Sequence, residues 1–220
     1  MMFNPKTITE TVGTALLVFT IQVASSELAP LAIGSILIAG VFAGGPVSGA
    51  HYNPAVSLAV TLRGNMSFQE MVPYMIAQLV GAALGGLCGG VVAGRFSTVD
   101  MGAEASYLQA LLAEVVVTFA LCFVVLSVAT NPKVDNNHYY GLAIGLVVVS
   151  GAIAVGPISG GAFNPAVALG LSISGAFANL RYGFMVAAAN LVGAVVAAIC
   201  FRVVIPEVSG TVDETMPLTT

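Results

Sequence analysis

Charge is what this chain has least of. Only 7% of its 220 residues are Asp, Glu, Lys or Arg, against roughly a quarter in a water-soluble domain. That shortage excludes an ordinary solvated surface. With 58% hydrophobic residues and a mean hydropathy of +0.99, the chain reads as a membrane protein with several spans. No basic cluster is present, so neither nucleic acid nor an anionic lipid surface is implied as a partner. The net charge of −4 owes several of its acids to the terminal segment, at Glu207, Asp213 and Glu214. Cysteine is scarce too. Cys88, Cys122 and Cys200 fall in apolar runs without metal-ligand spacing and read as small buried hydrophobes rather than a disulfide or a metal site. No Cys/His, Ser/His or carboxylate pair stands outside the apolar runs at catalytic spacing, which argues against an enzyme and leaves no cofactor to expect. Runs such as Leu142 to Val155 lack the polar alternation of a barrel strand facing a wet lumen, so the spans are expected to be helices. The opening Met1 to Lys6 leads straight into a full-length span, and no cleaved signal peptide is expected.

What is present is six apolar stretches of about the 20 residues a span requires, near Thr7 to Ser25, Leu31 to Val47, Met71 to Ala93, Leu108 to Ala129, Tyr139 to Pro157 and Tyr182 to Val204. Between the second and third, and again between the fifth and sixth, one short motif recurs. The first copy is Pro46-Val47-Ser48-Gly49-Ala50-His51-Tyr52-Asn53-Pro54-Ala55, the second Pro157-Ile158-Ser159-Gly160-Gly161-Ala162-Phe163-Asn164-Pro165-Ala166. Each is built to break one helix at Pro-x-Ser-Gly and start another, with Asn as N-cap and Pro at the first helical position. The apolar continuations, Pro54 to Leu62 and Pro165 to Ile173, are too short to cross and are expected to be re-entrant half-helices.

Asn164 follows Asn53 by 111 positions, and Gly45/Gly156 and Ala43/Ala154 keep that offset. Gln78-Leu79-Val80-Gly81-Ala82 recurs at Asn190 to Ala194 with an offset of 112, and Glu114 answers Glu10 at 104. The chain is thus predicted to be one domain over residues 1–205, in two halves of about 1–97 and 105–205, followed by a disordered tail over 206–220. An odd number of spans per half inverts the second half relative to the first, which points to a permeation or binding site where the broken helices meet. Basic residues favour cytoplasmic termini by a small margin, with Lys6, Arg63, Lys133 and Arg202 inside against Arg95 and Arg181. Tyr74, Tyr107, Tyr139, Tyr140 and Tyr182 are expected at the interfaces, and Gly81, Gly85, Gly89 and Gly193 where helices approach closely.

Two opposed helix starts at the bilayer midplane, each with roughly half a positive charge, would repel cations. Each Asn could cap its own helix with its oxygen and turn its amide donors to a passing neutral solute. Carbonyls of Gly44 to Tyr52 and Gly156 to Phe163 are expected to form acceptor ladders on either side.

The paired Asn-Pro-Ala motifs, the run Ser48 to Val56, Glu10-Thr11-Val12-Gly13-Thr14 and Ala77 to Gly81 together resemble the aquaporin (major intrinsic protein) family. The resemblance covers all but the tail. It implies an all-α membrane protein with six transmembrane helices and two re-entrant half-helices in an inverted two-fold repeat. It also implies a passive channel for water and small uncharged solutes in a lipid bilayer, and a homotetramer. By the same resemblance, Asn53, Pro54, Ala55, Asn164, Pro165 and Ala166 form the pore motifs. His51 lies on the cytoplasmic approach, where a neutral, locally bonded ring is the alternative to a gating role. Glu10 and Glu114 accept hydrogen bonds from the half-helix loops. Read as intramembrane ionisable groups alone, these two carboxylates leave a proton-coupled transporter open. A non-conducting structural protein of the same fold is a further alternative.

One departure bears on specificity. Family members usually place Arg after the second Asn-Pro-Ala; Val167 stands there. The other outer-constriction positions fall, by the resemblance, on Ile33, Ala152 and Gly161. A small, apolar set predicts a wide constriction passing solutes of the glycerol, urea, ammonia or hydrogen peroxide class, unless another side chain fills the gap. Arg181 is a basic substitute but sits beyond the half-helix.

Overall fold

The computed structural model describes residues 4–24 and 27–206. Eight α-helices follow one another: α1 (Pro5–Val23), α2 (Ala29–Ser48), α3 (Pro54–Arg63), α4 (Phe68–Ala93), α5 (Tyr107–Ala129), α6 (Tyr140–Ser159), α7 (Pro165–Ser174) and α8 (Leu180–Val204). Helices α2, α4, α5, α6 and α8 are long and apolar enough to cross a membrane by length and composition. Helix α1 carries Lys6, Glu10 and five threonines, which lowers its apolar character. Its 19 residues still reach about 28 Å at 1.5 Å per residue, and it completes the set of six. Helices α3 and α7, ten residues each, span about half that.

Local chemistry sets the helix starts. Capping boxes open α1 (Asn4 with Thr7), α4 (Ser67 with Glu70) and α5 (Ser106 with Gln109), each satisfying two otherwise unpaired N–H groups. Asn53 and Asn164 cap α3 and α7, with Pro54 and Pro165 at the first helical position.

The packing is that of two interlocked copies. Helix α1 lies against α4 and α5 against α8; α2 meets α6 between the halves; and each half-helix packs on the last helix of the opposite half, α3 on α8 and α4 on α7. Glycine permits the tightest of these contacts. A Cβ on Gly81 would stand 2.3 Å from the Thr11 carbonyl oxygen, and one on Gly193 would stand 2.6 Å from that of Val115. The two contacts are equivalent in the repeats. Outward faces remain apolar, as at Val12, Leu16, Leu84, Leu112 and Val116, and suit a hydrocarbon solvent.

Several expectations are corrected. Pro46 and Pro157 do not end their helices: α2 and α6 continue to Ser48 and Ser159. A proline inside a helix removes one bond and kinks it, whereas Gly49 and Gly160, at φ 84° and 89°, turn the chain left-handed and stop it. The acceptor ladders are shorter accordingly, since Gly44 to Ser48 and Gly156 to Ser159 are helical. Cys88 is exposed on the outer face of α4, unlike buried Cys122 and half-buried Cys200, and all three are free thiols. Tyr74 and Tyr182 are buried rather than interfacial. Ser25, the expected end of the first span, and the tail residues 207–220, with Glu207, Asp213 and Glu214, lie outside the described residues.

Candidate functional site

The two motifs meet. Asn53 accepts the N–H of Ala55 at 2.9 Å and donates its amide to the carbonyl of Phe163, also at 2.9 Å. Asn164 accepts from Ala166 at 2.9 Å and from Val167 at 3.4 Å, and donates to the carbonyl of Tyr52 at 2.8 Å. The helix starts therefore abut, each Asn bonded to the residue that precedes the other. An amide nitrogen carries two hydrogens, so one on each Asn is committed to this lock and the other is left uncommitted.

The loops leading into the motifs are wound around buried carboxylates. Glu10 accepts from the Ser48 hydroxyl (2.7 Å), the His51 N–H (3.0 Å), the Tyr52 N–H (2.7 Å) and the Gln78 amide (2.8 Å). Glu114 accepts from Ser159 (2.7 Å), Ala162 N–H (3.0 Å), Phe163 N–H (2.8 Å) and Asn190 (2.7 Å). Ala50, Tyr52 and Phe163 adopt positive φ of 49–51°, at a cost on the order of 1–3 kcal/mol each. The left-handed turns aim successive N–H groups at one oxygen pair, the geometry of an anion nest. Tyr74 and Tyr182 donate their hydroxyls to the carbonyls of Ser48 and Ser159, both at 2.8 Å, which secures the ends of α2 and α6. The sequence reading placed these two tyrosines at the interfaces and missed their role at the helix ends, because their repeat offset, 108, matches no other pair. Gln78 and Asn190 left a clearer trace as polar residues preceding the same Leu-Val-Gly-Ala run.

A single cavity of about 1000 Å³ runs past this junction and is lined from both faces. Toward the face where α1 begins it is bounded by Lys6, Glu70, Tyr74, His51 and the 131–137 connection; toward the other it is bounded by Ala29, Pro30 and residues 97–100. Asn53 and Asn164 line it, and so do Ile33, Ala152, Gly161 and Val167. Lys6 is the one basic residue among the lining, at the opposite mouth from Val167. Arg181 is exposed in the first turn of α8 and does not line the cavity. Glu10 and Glu114 are fully buried and do not line it either. The connection between α4 and α5 lines the second mouth and packs against the end of α6. Gly102 N–H donates to Ile158 O at 3.0 Å, and Val99 is buried against Gly160, where a Cβ would lie 2.7 Å from its side chain. No group of three or more His, Cys, Asp or Glu residues able to hold a metal occurs among the described residues.

Comparison with known proteins agrees with this architecture. The family model described as Major intrinsic protein matches residues 1–201 and, again, 138–218. Aquaporin AqpM of Methanothermobacter marburgensis is 36% identical over 185 residues, covering 78% of this chain and 74% of that protein. Aquaporin NIP1-1 of Zea mays is 32% identical over 177 residues, covering 78% of this chain and 60% of its own. The X-ray structure of the aquaglyceroporin from Plasmodium falciparum superimposes with a TM-score of 0.80 at 24% identity, over 93% of this chain and 98% of that one. At that identity the likeness speaks for the fold alone.

Proposed function

The chain belongs to the major intrinsic protein family and is a multi-pass membrane channel for water or small solutes. On that premise we propose that it conducts small uncharged solutes of the glycerol, urea, ammonia or hydrogen peroxide class as well as water. The observation that carries this reading is that Ile33, Ala152, Gly161 and Val167 line the same cavity as Asn53 and Asn164, with no Lys or Arg among the described residues that line that mouth. Water crossing such a stretch finds few replacement partners, while a larger solute with some apolar surface is less penalised there. Cation and proton exclusion rests on the abutting starts of α3 and α7, each with roughly half a positive charge, and on the free amide hydrogens of the two Asn residues.

In this reading the channel domain occupies 1–205, both termini face the cytoplasm and the protein assembles as a homotetramer, one conduit per subunit. The carboxylates are scaffolding rather than proton carriers. Swelling of proteoliposomes in glycerol or urea gradients tests the solute class. Linear, unsaturated flux is expected, and water passage with complete exclusion of these solutes would refute the wide constriction.

A further inference from the structure

The Gln78 amide nitrogen lies 2.8 Å from Glu10 Oε2 and 3.0 Å from Ser57 Oγ. A carboxylate offers acceptors only, so the NH2 group faces Glu10, and its two hydrogens are divided between the carboxylate and Ser57. The Ser57 oxygen is then an acceptor, and its own proton is free to point elsewhere. Its remaining partner is His51 Nδ1, at 3.0 Å. A hydroxyl that donates to Nδ1 requires that nitrogen to be bare, which places the ring proton on Nε2.

The other ring nitrogen faces a different environment. His51 Nε2 has no hydrogen-bond partner within the protein among the described residues, and it is not among the sealed, unpartnered polar atoms. It stands next to Gly49, and both residues line the cavity. The relay exists in one half of the molecule only. The Asn190 amide bridges Glu114 and Thr118 (2.7 and 2.9 Å), but Ala162 and Ala168 occupy the places of His51 and Ser57, and no ring follows.

We propose that Gln78 and Ser57 are positioning residues that hold His51 as the Nε2–H tautomer, making it a fixed hydrogen-bond donor to the permeating file at the mouth where α1 begins. The direction is set at Glu10, whose acceptor-only carboxylate orients the amide, which orients the hydroxyl, which selects the tautomer. That mouth then greets a solute with a donor, as the two Asn amides do deeper in, and favours molecules arriving with a lone pair. The selection rests on the cavity being the conduit; the tautomer does not.

The test is solid-state NMR of the full chain in lipid vesicles, with 15N-labelled histidine and the exposed His138 changed to Gln so that His51 alone reports. The expected spectrum has a protonated Nε2 and a bare Nδ1. Ser57→Ala should lose this single form to a mixture containing Nδ1–H, and Ser57→Thr should restore it. A parent channel protonated on Nδ1 would overturn the proposal without recourse to any variant, as would an unchanged ring in Ser57→Ala. Solute flux in the same vesicles separates the two ideas. A fixed tautomer without flux refutes the conduit and the selection built on it, whereas flux through a channel with a freely exchanging ring refutes the relay alone.

Discussion

Asn164 donates its side-chain amide to the backbone carbonyl of Tyr52 at 2.8 Å, joining residues 112 positions apart, and Asn53 returns the bond to Phe163 at 2.9 Å. Each half-helix start is thus capped by its own Asn and tied to the other by the same side chain. Removing either amide unties both functions.

Asn164→Ala should lower stability by about 2 kcal/mol or more, combining a lost N-cap of about 1 kcal/mol with an orphaned Tyr52 carbonyl at about 1–3 kcal/mol. Asn164→Asp keeps the cap acceptor but loses the donor and adds a negative charge, so it should fold better than the alanine variant and admit cations. Thermal unfolding in detergent and potassium flux into vesicles check the two halves of this expectation.

Val167→Arg would place a cation at the proposed outer constriction, where the side chain has the cavity to extend into. Glycerol and urea flux should fall at least about tenfold, equivalent to about 1.4 kcal/mol in the barrier, while water flux falls less. Stopped-flow light scattering measures both, and an equal loss of all solutes would show simple blockage instead.

Glu114→Gln exchanges an acceptor of four bonds for an amide whose NH2 must face at least one other donor. Two charge-assisted bonds at about 1.5–3 kcal/mol each are compromised, and the Gly160 to Phe163 loop loses its anchor. The variant should be destabilised by several kcal/mol, with flux falling in step with the folded fraction. Normal stability with abolished flux would instead indicate a proton-coupled mechanism.

Gly85→Ala puts a methyl 2.2 Å from the Ala15 carbonyl oxygen, forcing α1 and α4 apart at about 1–3 kcal/mol. Gly156→Ala, with nothing within 4 Å of its Cβ and a helical backbone, should be tolerated and gain up to about 1 kcal/mol of helix preference. Comparing the unfolding midpoints of the two purified variants decides the point.

Most of the architecture was legible in the residues because the bilayer leaves the backbone few choices. Without water to satisfy N–H and C=O groups, apolar runs must be helices, and their lengths, the Asn-Pro starts and the 111-residue offset then identify spans, half-helices and an inverted repeat. The order of the chain also determined that Asn53 and Asn164 would be paired and that Val167 would stand where the family usually has Arg. Tertiary structure decided what those residues touch. That each Asn commits one amide hydrogen to the opposite loop, that Tyr74 and Tyr182 turn inward to helix ends, that Cys88 faces outward, and that Glu10 reaches His51 through Gln78 and Ser57 all depend on angles around helix axes and on contacts between distant segments. Periodicity is a weak guide to these facings here, because a lipid-facing surface is as apolar as a buried one.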